Sequence, residues 1–76
     1  MKELVEYMVR ALVDDPASVR VNVVESGNLT VYEVSVAEGD LGKIIGRHGR
    51  IANALRGVVK AAAMRTNDRA TVEIVS

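Results

Sequence analysis

The chain has 76 residues with no Cys, one His, no Phe or Trp and two Tyr, which excludes disulfide staples, thiolate chemistry and a structural zinc site. Hydrophobic residues make up 49% of it, enough for the core of one domain built from Val, Ile, Leu, Ala and Met. The formal net charge is zero but segregated: residues 1–40 carry eight acids and three bases, residues 41–76 seven bases and two acids, and no carboxylate occurs from Leu41 to Asn67.

Leu4, Met8 and Leu12 recur at four-residue spacing, shadowed by Val5, Val9 and Val13, and predict an amphipathic helix with Lys2, Glu6 and Arg10 off that face. Asp14-Asp15-Pro16 ends it, since proline disfavours helical geometry at the residue before it. Val19, Val21 and Val23 alternate with polar residues from Ser18 to Glu25, a period-two strand. Ser26-Gly27-Asn28 turns the chain into a second strand, about Leu29 to Ala37, with Tyr32, Val34 and Val36 on one face, so the two form a hairpin.

Asp40 has the side chain of an N-cap for a short helix, Leu41 to Ile45. After Gly46-Arg47-His48-Gly49 a longer helix runs from Arg50 to about Arg65, with Ile51, Leu55, Val58 and Ala62 as its core stripe and Asn53, Arg56 and Lys60 on the solvated face. Ala70 to Val75 alternates again and gives the last strand. Both tyrosines are assigned to apolar faces, which leaves no aromatic for base stacking. The expected order is α-β-β-α-α-β in one α+β domain spanning residues 1–76. No stretch approaches the ~20 apolar residues of a membrane span and no signal pattern opens the chain, so a soluble cytoplasmic protein is expected.

The chemistry lies between Asp40 and Arg50. Two glycines three apart, Gly46 and Gly49, permit a tight turn between two helices. The second helix begins at the second glycine, so its unpaired N–H groups and positive dipole end are expected to face the loop. Lys43, Arg47 and Arg50 add full charges, and an anion, most simply a phosphate, suits that setting. The nucleotidase loop G-x-x-x-x-G-K-[ST] is absent, because Gly42-Lys43 is followed by Ile44 and position 37 is Ala; G-x-G-x-x-G is absent as well. Helix-GxxG-helix instead clamps a sugar–phosphate backbone across about four nucleotides. His48 has no carboxylate or second His nearby in sequence, so it is not read as a catalytic base.

Ile44-Ile45-Gly46-Arg47-His48-Gly49-Arg50-Ile51 resembles the I-G-x-x-G core of a KH domain, and the helix and hairpin before it resemble the type II arrangement. The match covers the whole chain, and Asp40 to Arg50 is similar to the signature of stand-alone bacterial KhpA-type RNA-binding proteins. The resemblance implies a three-stranded mixed sheet with helices packed on one face. It implies single-stranded RNA as ligand, bound by Gly42, Lys43, Ile44, Ile45, Gly46, Arg47, His48, Gly49 and Arg50. It implies a role as RNA chaperone or post-transcriptional regulator, with a larger KhpB-type KH partner and a link to cell-wall and cell-shape control. Arg47-His48 departs from the more usual two basic residues, which makes one contact weaker or pH-dependent.

No cofactor, metal, membrane or small-molecule substrate is expected, and the basic half holds neither paired carboxylates nor a nucleophile–base pair, so an enzyme is disfavoured. A homodimer or a KH heteromer is expected, with the long helix as interface because Gly57 and Ala61 allow close approach. The competing function is a protein-interaction adaptor with little RNA binding; intact Arg47 and Arg50 argue against it.

Overall fold

The computed structural model describes residues 1–75. Its elements are α1 (Lys2–Leu12), β1 (Arg20–Ser26), β2 (Leu29–Ser35), α2 (Leu41–Ile45), α3 (Arg50–Met64) and β3 (Arg69–Ile74), with 3-10 turns at Pro16–Ser18, Glu38–Asp40 and Arg47–Gly49. This is the expected α-β-β-α-α-β order of a type II KH fold.

β1 and β2 pair antiparallel from Arg20↔Ser35 to Ser26↔Leu29. Gly27, with φ 61°, takes the first of the two loop positions, as in a type II′ hairpin. β3 lies parallel to β2, with Tyr32 opposite Val72, so the sheet is mixed and ordered β1-β2-β3. A parallel pair needs a crossover, and α2 with α3 supplies it. The helices cover the sheet face that carries Val21, Tyr32, Val34 and Val72, and with Val5, Val9, Val19, Ile44 and Val59 these form the core. Val23 shares that side but stays 45% exposed on the edge strand.

Of the two apolar rows expected on α1, the valine row is the buried one, and α3 is turned relative to the sequence expectation. On α1 the buried row is Val5 and Val9, while Leu4 and Leu12 flank it, each 38% exposed. Tyr7, about 200° around the helix from Val5, is therefore 73% exposed rather than on the apolar face. On α3 the buried row is Ala52, Leu55, Val59 and Ala63, and Val58 is left 46% exposed. Alanines at both ends of that row let the helix sit close to the sheet. α3 then ends in a Schellman motif: Asn67 has φ 60°, its N–H reaches Met64 O, and the Asp68 N–H reaches Ala63 O.

Candidate nucleic-acid interface

The loop between α2 and α3 is built from left-handed residues. Gly46 has φ 77° and ψ 172°, His48 φ 57° and ψ 27°, and Gly49 φ 73° and ψ 14°, after which Arg50 returns to helical geometry. The two glycines serve different ends. A Cβ on Gly46 would lie 2.9 Å from both Cβ and backbone N of Ile51 and closer still to its Cγ1. Gly46 is thus demanded by packing inside the protein. Gly49 faces open space and is demanded by its φ alone. His48 carries a side chain in the same region, at a cost of roughly 1–2 kcal/mol, the kind of local strain that concentrates at functional sites.

The amides are also arranged differently from expectation. The Gly49 N–H is turned in to Gly46 O at 3.1 Å, and the Arg50 N–H to Arg47 O, so the N–H groups just after the loop are partly spent on the turn. Among the described residues the amides of Arg47 and His48 have no carbonyl partner, which leaves them available to a ligand. The side chains of Arg47, His48 and Arg50 are exposed around them.

Lys43 departs furthest from its expected place. Its Nζ donates to Asp14 Oδ2 at 2.7 Å and lies 3.7 Å from Asp40 Oδ1. Asp40, in turn, is not the side-chain cap of α2. It is 3% exposed, and its carboxylate accepts the Asp14 amide at 3.1 Å and the Asp15 amide at 3.0 Å, tying the end of α1 to the start of α2. The Asp14 amide holds the Asp40 carboxyl below the usual range against the upward push of burial, and the Asp15 amide and Lys43 assist. The hydrogen bond and charge of Asp14 push Lys43 up. The fold therefore brings acids of the N-terminal half against the base-only segment.

The remaining candidates divide cleanly. Ile44 is fully buried, so it supports the loop from the core and offers no surface to a ligand, a correction to its place among contact residues. Ile45 is 37% exposed and Gly42 is exposed beside it, with nothing within 4 Å of where its Cβ would be. Arg56, expected on the solvated face, is half-buried: its Nε donates to Val72 O at 2.9 Å and its Nη1 to Asn53 Oδ1 at 3.0 Å. The Val75 N–H bonds back to Val34, so by alternation Val72 and Ile74 present their polar groups to the free edge of β3. Arg56 covers part of that edge. The correct phase of α3 would have found it, since Arg56 lies four residues from buried Ala52 and three from buried Val59. Asp14 had no such signal, being 29 residues from Lys43.

A family model described as KhpA/KhpB, KH domain, matches residues 2–74. The chain belongs to the KhpA/KhpB KH-domain family. Its relatives include the RNA-binding protein KhpA of Clostridium perfringens, 49% identical over 75 residues that span 99% of this chain and 100% of the relative. The RNA-binding protein KhpA of Borreliella burgdorferi is 47% identical, covering 96% of this chain and 89% of its own length. Among solved structures, Era of Aquifex aeolicus superposes with a TM-score of 0.66 at 20% identity, over 96% of this chain and 28% of Era, a likeness of fold. This KhpA/KhpB-type domain contains no helix, among the described residues, long and apolar enough to cross a membrane.

Proposed function

We propose that this KH domain binds single-stranded RNA through the loop from Gly46 to Gly49. The observation that carries the reading is the left-handed turn that leaves the Arg47 and His48 amides without a carbonyl partner, among the described residues, beside the exposed Arg47, His48 and Arg50 side chains. Its curated relatives are named RNA-binding proteins over the full length of the chain, which supports the same reading. A phosphate takes the amides as hydrogen-bond donors and the guanidinium groups as charge, and the exposed edge of Ile45 with Gly42 gives a base an apolar surface to lie on. The test is the double variant Arg47→Asp, His48→Asp. Asp tolerates left-handed geometry at position 48, so circular dichroism should report a native fold while anisotropy with short single-stranded RNA reports lost binding. Native-like affinity in the folded double variant overturns the clamp.

The domain also pairs with another KH surface in this reading. Ala54, Gly57, Val58, Ala61 and Met64 make an exposed apolar strip on α3 opposite its buried row, Val58 being 46% and Met64 65% exposed. Among the described residues no contact accounts for Gly57, whose Cβ position is open. A second copy, or the larger KhpB-type KH protein that the family resemblance implies, is the occupant proposed for this strip, since joining two weak RNA modules raises effective concentration. The same resemblance extends the reading to an RNA chaperone or post-transcriptional regulator linked to cell-wall and cell-shape control. Sedimentation alone and in mixture with such a partner decides the pairing; monomers in every mixture refute it.

A further inference from the structure

Among the described residues, Lys43 is the one cation around the loop already engaged by carboxylates. Of its two acidic neighbours, Asp40 is fixed, buried and held by two backbone amides. Asp14 is the exposed one: its side chain is 80% exposed, and Lys43 is its sole ion-pair partner among the described residues. Little else in the fold calls for a carboxylate at position 14. It follows the C-cap residue Val13, at the end of α1 where the helix dipole disfavours negative charge. Its neighbour Asp15 differs, because that carboxylate accepts the Ser18 hydroxyl at 2.6 Å.

We propose that Asp14 is an internal competitor for the phosphate site, holding Lys43 in the free protein and yielding it to an RNA phosphate on binding. The inference rests on the RNA-binding reading and names what limits its affinity. An exposed ion pair is weak enough to open, and an ammonium on a flexible four-carbon stem changes partner without moving the backbone. Lys43 stands three residues before Gly46, at the end of α2 that leads into the loop. When a phosphate leaves, the tethered carboxylate recaptures the lysine at high effective concentration, which shortens the life of the complex. Salt also weakens the exposed Asp14–Lys43 pair, so the native chain loses affinity with salt less steeply than it would without that competitor.

The experiment is fluorescence anisotropy with a short single-stranded RNA across a salt series. It compares the native chain with Asp14→Asn, Asp15→Asn, Lys43→Met and the double variant Asp14→Asn, Lys43→Met. Asn keeps the backbone amide that holds Asp40, and circular dichroism checks the fold. Asp15→Asn reports the long-range effect of removing one nearby negative charge. Asp14→Asn is expected to tighten binding by about two- to fivefold at low salt, beyond Asp15→Asn. Its advantage should shrink as salt screens the native Asp14–Lys43 pair, and its dissociation should be slower. The excess over Asp15→Asn should vanish in the Lys43→Met background. An Asp14→Asn effect equal to that of Asp15→Asn, or one that persists without Lys43, overturns the competition while leaving the RNA reading intact. A native chain that binds no single-stranded RNA removes that reading and this inference with it.

Discussion

Gly46 and Ile51 share a space too small for a side chain on both. The Cβ that any other residue would place at position 46 falls 2.9 Å from the Ile51 backbone nitrogen, so the first turn of α3 is docked directly against the end of α2. The angle between the two helices, and with it the shape of the loop, follows from this contact.

The two glycines of the loop should therefore separate on substitution. Gly46→Ala meets backbone as well as an unfavourable φ of 77°, and a loss of about 2 kcal/mol or more is expected. Gly49→Ala meets open space and should lose only the left-handed penalty, about 1 kcal/mol. Urea denaturation of both variants measures the difference, and equal losses would refute the packing role of Gly46.

Arg47→Ala removes one side-chain charge without disturbing the turn. Affinity should fall to a similar extent on RNAs of different sequence, and the slope of log K against log salt should flatten by roughly 0.7. A loss confined to one sequence would mean that Arg47 reads a base.

Asp40→Asn bears on pH. The Asp40 carboxyl is held below its ordinary 3.8 in the folded chain, so its contribution to stability is complete above that value and disappears as pH falls through the folded value. Asn keeps one acceptor but sets an amide NH2 against one of the two backbone N–H groups. The variant should melt lower at neutral pH and lose less than the native chain on acidification. Thermal melts from pH 6 down to about pH 2 test this; parallel acid limbs would show that Asp40 carries no such linkage.

The loop was legible because its signal is local: Gly46 and Gly49 three apart, with helical patterns on either side, leave few other geometries. The strands were legible for the same reason, since alternation at Val19-Val21 and Tyr32-Val34 is a period of two that tolerates no slip. Helix phase was harder. On α1 two adjacent apolar rows compete, Leu4-Met8-Leu12 and Val5-Val9-Val13, and only contact with the sheet chooses the valines. On α3 the choice fell on small alanines, which are silent in a count of bulky apolar residues, and so Arg56 was misplaced with the stripe. The Asp14–Lys43 and Asp40–amide contacts join segments at least 25 residues apart, and nothing in either segment names the other.

The parallel pairing of β2 with β3 has a temporal consequence. A hairpin such as β1–β2 closes over two residues, but β3 can find its place only after both crossover helices have been laid across the sheet. Arg56 gains the carbonyl that orients it from β3, and α3 gains much of its support there. On a growing chain, the strand that supports α3 is made after the loop. The loop's sequence is thus complete well before its shape is, and a newborn chain should be unable to hold RNA there until β3 has emerged.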